Sequence, residues 1–354
     1  MRIFLNSDYA MHDASGEMHH GKLVDCFENP SRLDNIISAF KANGVSEFSQ
    51  TEDFGMQAIL AVHDADYVEF LQSIHRKWQA AGNSGDVIPY IWPVPGLKRS
   101  AHQNLNAQVG RYAFSSDSPI MQGTWQATYS GVQTALSCLK AVQQQGHKAA
   151  FSLSRPPGHH AHKANYGGYC FLNNAAICAQ AALDNGAAKV CVLDVDFHHG
   201  NGTQDIFYQR SDVFTVSIHG DPADNFPYFL GFADESGESA GEGFNLNIPL
   251  GDGTDMQQWT QALQVAASAI KEYSPDMLIV PLGVDTFALD PISTFKLTTQ
   301  DYLTMGSLIA DLNLPCVFLM EGGYDVGPIG QNVYNVLRGF EGDDDAYTDK
   351  PGPL

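Results

Sequence analysis

With 354 residues, 44% hydrophobic and 17% charged, the chain can hold one large α/β domain or two ordinary ones around a sizeable core. Forty acidic residues against 19 basic ones leave a formal charge of −21, which argues against nucleic acid and anionic membranes as partners and for small cations. No run approaches the roughly 20 apolar residues of a membrane helix. The N-terminus, MRIFLNSDYAMHD, turns polar too early for a signal peptide, so a cytoplasmic location is expected.

MRIFL starts as a short strand. Residues 56–76 carry apolar positions three and four apart and read as a helical region. Between 78 and 122 lies a stretch rich in Gly, Pro and aromatics, too long for an ordinary connection. It reads as a binding loop or an oligomer contact, with Trp92 and its flanking prolines as the anchor. A second helix covers 123–146, closed by Gly146. Apolar strands at 149–153, 189–193, 213–218, 277–282 and 314–320 then alternate with helices at 173–185, 256–273 and 299–312. Such alternation predicts a single-domain, three-layer α/β/α fold with a predominantly parallel sheet over 1–340, followed by an acidic, mobile tail over 341–354. The six cysteines (Cys26, Cys138, Cys170, Cys178, Cys191, Cys316) lack CxxC spacing and read as buried free thiols.

Four of the strands run into polar or Gly-rich segments: SRPPGHHAHKANYGGYCF, DVDFHHGNGTQ, GVDTFALDP and EGGYDVG. In a parallel sheet these gather beyond the carboxyl edge, where ligands bind. Along an extended chain Asp194, Asp196 and His198 point to one side. Asp196 and His198 offer an oxygen and an imidazole nitrogen, and Asp285 could add a third ligand. That set suits one catalytic zinc, and iron or cobalt fits it too. His159 and His160, fixed in a Pro/Gly loop, can serve as general base and acid, with Asp194 orienting His159. The glycines before Tyr324 allow a sharp turn that exposes its hydroxyl to a developing oxyanion. Glu17 and Asp117 are candidate receptors for a distal ammonium.

Together RPPGHH, GGYCFLNN, LDVDFHHGNGT, GVDTFALDP and EGGY resemble the histone deacetylase superfamily over residues 1–340. Within it, the segment before Thr124 and HGDPADNFPYFLG are most similar to the bacterial branch that acts on acetylated polyamines. The resemblance implies zinc on Asp196, His198 and Asp285, tandem histidines His159 and His160, and Tyr324 as the oxyanion donor. It implies that the Gly168 carbonyl accepts the substrate amide, that Tyr169 and Phe226 wall the tunnel, and that the enzyme is a homodimer. It also implies a structural potassium near Asp194, Asp196, His198, Ser217 and Ile218, and a second near Phe207, Arg210 and Val213. Asn201 departs from the pattern, since several histone deacetylases carry a carboxylate there; an amide stabilises an imidazolium less. His160 is then expected to be the main proton carrier and His159 its electrostatic partner. The activity expected is zinc-dependent hydrolysis of acetylputrescine, acetylcadaverine and acetylspermidine to free amine and acetate. The rival readings are an acetyl-lysine deacetylase with the same site, a two-manganese ureohydrolase and an inactive binder of acetylated amines.

Overall fold

The computed structural model describes residues 1–45, 47–94 and 103–342. Its strands are β1 (Arg2–Leu5), β2 (Glu17–His19), β3 (Lys22–Val24), β4 (Ala149–Leu153), β5 (Val190–Asp194), β6 (Val213–Gly220), β7 (Asn245–Leu250), β8 (Met277–Leu282) and β9 (Cys316–Met320). β2 and β3 form a small antiparallel hairpin. The other seven make one sheet in the order β1-β4-β9-β8-β5-β6-β7, with every neighbouring pair parallel.

The helices are α1 (Ser31–Ala42), α2 (Gln57–Leu60), α3 (Ala65–Ala80), α4 (Leu105–Tyr112), α5 (Thr124–Gln143), α6 (Asn174–Asp184), α7 (Asn201–Phe207), α8 (Met256–Tyr273), α9 (Asp301–Ala310) and α10 (Ile329–Glu341). Because side chains alternate along a strand, an apolar run feeds two cores at once. Val190 and Val192 of β5, with Val317 and Leu319 of β9, pack toward α3, α5 and α6. Cys191 and Leu193, with Phe318 and Met320, pack toward α1, α8, α9 and α10. This is the expected three-layer arrangement. All six cysteines are free, and only Cys26 is less than fully buried.

Three expectations need correction. The helical region at 56–76 is two helices, broken at 61–64 because His63 Nε2 accepts the Asn173 N–H at 2.9 Å and Asp64 donates to the Lys163 carbonyl at 3.0 Å. The segment 78–122 is not one loop: it contains α4, N-capped by Asn104, and an antiparallel bridge between Val87 and Ile120. Gly110 weakens the helical signal there but is required, since a Cβ would lie 1.7 Å from the Ile91 carbonyl oxygen. Finally β2, β3, β7, α1, α7 and α10 have no counterpart among the expected elements. Residues 95–102 of the long segment, and the tail beyond Gly342, lie outside the described residues.

Candidate active site

β4, β9, β8 and β5 are consecutive in the sheet, so the four segments leaving them meet at one edge. The geometry there is tight. Ligand atoms of Asp196, His198 and Asp285 all lie within 4.8 Å of one another, and all three residues are buried. His198 Nδ1 is 3.0 Å from Asp285 Oδ2 and 3.5 Å from Asp196 Oδ1. The remaining carboxylate oxygens are held by the backbone: Gly322 N–H donates to Asp196 Oδ2 at 2.8 Å, and Phe197 N–H to Asp285 Oδ1 at 2.9 Å. Gly322 is obligatory, because a Cβ would fall 2.4 Å from Asp285 Oδ2 and 2.6 Å from Asp196 Oδ2.

Electrostatics give the cluster a purpose. Burial, then the charge of Asp196, pushes the Asp285 carboxyl up to about 7. Packing carboxylates this closely away from water is costly unless a cation lies between them. Two oxygen donors and one imidazole nitrogen, converging and pinned, fit a single divalent ion.

The tandem histidines sit beside this cluster with ring centroids 3.9 Å apart, yet their environments differ. Burial works against charge on His159, but Asp194, whose Oδ2 is 2.9 Å from Nδ1, and then Asp196 outweigh it and raise the imidazole to about 10. Burial, then the neighbouring His159 and His198, drives His160 well below the ordinary histidine range. Its Nδ1 meets only the Asn201 amide oxygen, at 2.7 Å. The two rings thus differ in partner: a carboxylate favours charge on His159, whereas His160 has an amide.

Tyr324 is set by its backbone. Its N–H donates to Asp290 Oδ2 at 2.7 Å, and the Arg32 guanidinium lies 4.8 Å from its ring centroid. Arg32 also donates to the carbonyls of Gly323 and Glu321, so the whole EGGY turn is pinned from below. Glu28 joins Arg32 to Arg155 at 2.7–2.8 Å. Burial alone would raise Glu28, but Arg155 and then Arg32 prevail and hold it at about 2.

A cavity of about 430 Å³ opens onto these groups, lined at depth by His160, His198, Gly168, Tyr169, Phe226 and Tyr324. The Phe226 ring is 5.0 Å from that of His160, and Tyr169 is 5.6 Å from Tyr324. Gly168 and Tyr169 both adopt positive φ. Gly168 suits that conformation and the space: a Cβ would lie 2.4 Å from His160 Cδ2. Asp117 lines the same cavity, but its Oδ1 accepts from Gly168 N–H at 2.9 Å and from two serine hydroxyls, so it braces this turn. Glu17 is buried behind the wall, accepts the Tyr169 hydroxyl at 2.8 Å, and is raised to about 7 by burial.

Of the residues expected around potassium, Asp194 pairs in register with Ser217, next to Ile218. The Ser217 hydroxyl lies 2.8 Å from His219 Nδ1. Arg210 N–H donates to the Phe207 carbonyl at 2.8 Å, at the end of α7 and just before Val213 opens β6.

Sequence reasoning missed the Glu28–Arg32–Arg155 group and the cavity rim, where Met18, His19, His20, Asp224, Asn225, Tyr228, Pro291 and Ile292 lie. The tandem His19–His20, and Asp224 within HGDPADNFPYFLG, were the available signals.

A histone deacetylase domain model matches residues 26–340. The chain is 49% identical over 342 residues to acetylpolyamine amidohydrolase 2 of Pseudomonas aeruginosa, covering 97% of this chain and 99% of that one. It is 46% identical over 342 residues to acetylpolyamine amidohydrolase of Mycoplana ramosa, covering 97% and 100%. Among solved structures, acetylpolyamine aminohydrolase of Burkholderia pseudomallei superposes with a TM-score of 0.91 at 36% identity, covering 96% of this chain and 98% of that one.

Proposed function

Since the chain belongs to the histone deacetylase family and is an amidohydrolase that removes acetyl groups, we propose that it cleaves the acetyl amide of acetylated polyamines, releasing free amine and acetate. The observation that carries this reading is the pair of adjacent histidines, one on the Asp194 carboxylate and one on the Asn201 amide, beside a buried Asp-His-Asp cluster at the end of an aromatic-walled cavity. Asp196, His198 and Asp285 would hold one zinc ion, which when bound supplies Lewis-acid polarisation of the acetyl carbonyl and a more acidic water.

The chain's own groups do the rest. Tyr169 and Phe226 flank the aliphatic chain, and the Gly168 carbonyl accepts the amide N–H. His160 takes the proton of the attacking water on Nε2. His159, whose imidazolium form the Asp194 carboxylate favours, supports the negative charge that develops beside it. The Tyr324 hydroxyl donates to the carbonyl oxygen as it becomes an oxyanion. The proton on His160 then passes to the leaving amine.

For the cationic tail, Asp117 and Glu17 are the candidate receptors: Asp117 lines the cavity, and Glu17 lies behind Tyr169. The reading extends to one or two structural potassium ions, at Asp194, Asp196, His198, Ser217 and Ile218 and at Phe207, Arg210 and Val213. It extends also to a homodimer formed through the long segment, where Tyr90, Ile91, Trp92 and Val94 are exposed together. Free thiols favour the cytoplasm, and the charge of −21 disfavours nucleic acid. No described helix is long and apolar enough to cross a membrane.

The test is kcat/KM of the zinc-loaded protein for acetylputrescine, acetylcadaverine, acetylspermidine and an acetyl-lysine peptide. Preference for the free amines is expected. Equal or better turnover of the peptide overturns the substrate assignment, and no turnover of any overturns the activity.

A further inference from the structure

His160 is connected to the protein surface by side chains that the reaction as described does not use. Its Nδ1 meets Asn201 Oδ1 at 2.7 Å, Asn201 Nδ2 meets His162 Nε2 at 2.8 Å, and His162 Nδ1 meets Asp205 Oδ2 at 3.0 Å. Asn201 is buried, His162 is mostly buried, and Asp205 stands in solvent. Asn201 and Asp205 are one turn apart on α7, so they grip the His162 ring from its two nitrogens. The Phe114 ring stands nearly edge-on to His162 at 5.4 Å.

The direction of each hydrogen bond follows from the outer end inward. A carboxylate only accepts, so Asp205 requires the proton of a neutral His162 to be on Nδ1. His162 Nε2 is then an acceptor and must face the NH2 of Asn201. The amide oxygen is thereby turned to His160, which must place its own proton on Nδ1. His160 Nε2 is left with a free lone pair on the side of the ring away from Asn201. Reversing any one donor reverses all those inside it, and a base held in the wrong tautomer cannot accept the proton.

We propose that the His162–Asp205 pair is a positioning device for the hydrolytic reaction: acting through Asn201, it fixes the tautomer of His160. The inference rests on the reading of His160 as the proton acceptor. In the histone deacetylase pattern a carboxylate at position 201 would enforce the same tautomer alone; an amide can face either way and needs a second partner to orient it. The charged and titratable groups around His162 are Asp205 on α7, Arg111 in the same surface cleft on α4, and His63.

The experiment compares two substitutions in the zinc-loaded protein. His162→Gln retains an acceptor for the Asn201 amide, whereas His162→Lys offers only donors and forces the amide round. Turnover of acetylputrescine by His162→Gln is expected within about threefold of wild type, while kcat of His162→Lys falls about 100-fold with KM little changed. The tautomer is read without turnover from long-range ¹H–¹⁵N spectra of histidine-labelled protein, with the His160 signals assigned by their loss in His160→Ala. Wild type and His162→Gln are expected to carry the proton on Nδ1, and His162→Lys on Nε2. An unchanged kcat in His162→Lys, an equal loss in His162→Gln, or one tautomer in all three proteins overturns the proposal. A wild type that shows the Nδ1 tautomer, switched in His162→Lys, but cleaves no acetyl amide supports the relay and removes the assigned reaction instead.

Discussion

At the bottom of the cavity, Asp196, His198 and Asp285 follow the ends of neighbouring strands, and both carboxylates accept backbone N–H groups. At its mouth, His19 and His20 sit on a two-stranded hairpin, while Asp117, Asp224 and Tyr228 sit on loops, and Tyr228 is 48% exposed. The floor is stiff because strand ends in a parallel sheet have no freedom that the sheet does not share. The rim has fewer such constraints, apart from Asp117, whose Oδ1 is held by Gly168 N–H and two serine hydroxyls. The difference separates two tasks: reaction geometry must be held to a fraction of an ångström, whereas recognition of a mobile cationic tail tolerates adjustment and works partly at long range.

Breaking the floor should have the largest effect. Asp285→Ala is expected to abolish both zinc retention, measured by elemental analysis, and acetate release; zinc retained with turnover intact would contradict a site that depends on all three ligands. Tyr324→Phe keeps the ring against Arg32 and removes only the donor. Its kcat should fall by about 10²–10³-fold with little change in KM, and a change confined to KM would move Tyr324 from the reaction to binding.

The support beneath the floor is tested by stability. Glu28→Gln leaves two buried guanidinium groups without their counter-charge, at a cost of about 3–5 kcal/mol in urea unfolding. Glu28 is held at about 2 against an ordinary 4.5. Its contribution is therefore fully present above pH 4.5 and lost as pH falls through 2. The variant should lose that part of the acid dependence; wild-type acid dependence in the variant would assign it to other groups.

Two milder changes sharpen the contrast. Asn201→Asp places a carboxylate on His160, so the acid limb of kcat/KM should move up by about one pH unit. At the rim, Asp224→Asn should raise KM for acetylputrescine only about threefold, and less at high salt. A larger effect there than at Tyr324 would invert the comparison.

The same contrast explains what the sequence revealed. Asp196, His198, Asp285, His159, His160 and Tyr324 each adjoin an apolar strand or a Gly/Pro turn, so position along the chain already implied position in space. The resemblance to a known family, carried by the same motifs, supplied Gly168, Tyr169 and Phe226. Glu28 and Arg32 gave no local signal: they meet Arg155 and the EGGY turn only through tertiary packing. His162 stood inside a quoted motif, but its role depends on the helical turn that brings Asn201 and Asp205 to one face. α4 was hidden by Gly110, whose cost in helix propensity is imposed by the Ile91 backbone rather than by its own helix.

The most direct test is acetate release from acetylputrescine by metal-stripped protein as zinc is added back. The account predicts no activity at the start, a rise that saturates at one equivalent, and no recovery in Asp285→Ala. Activity in the stripped protein, or saturation only at two equivalents, would contradict a single-metal site built from Asp196, His198 and Asp285.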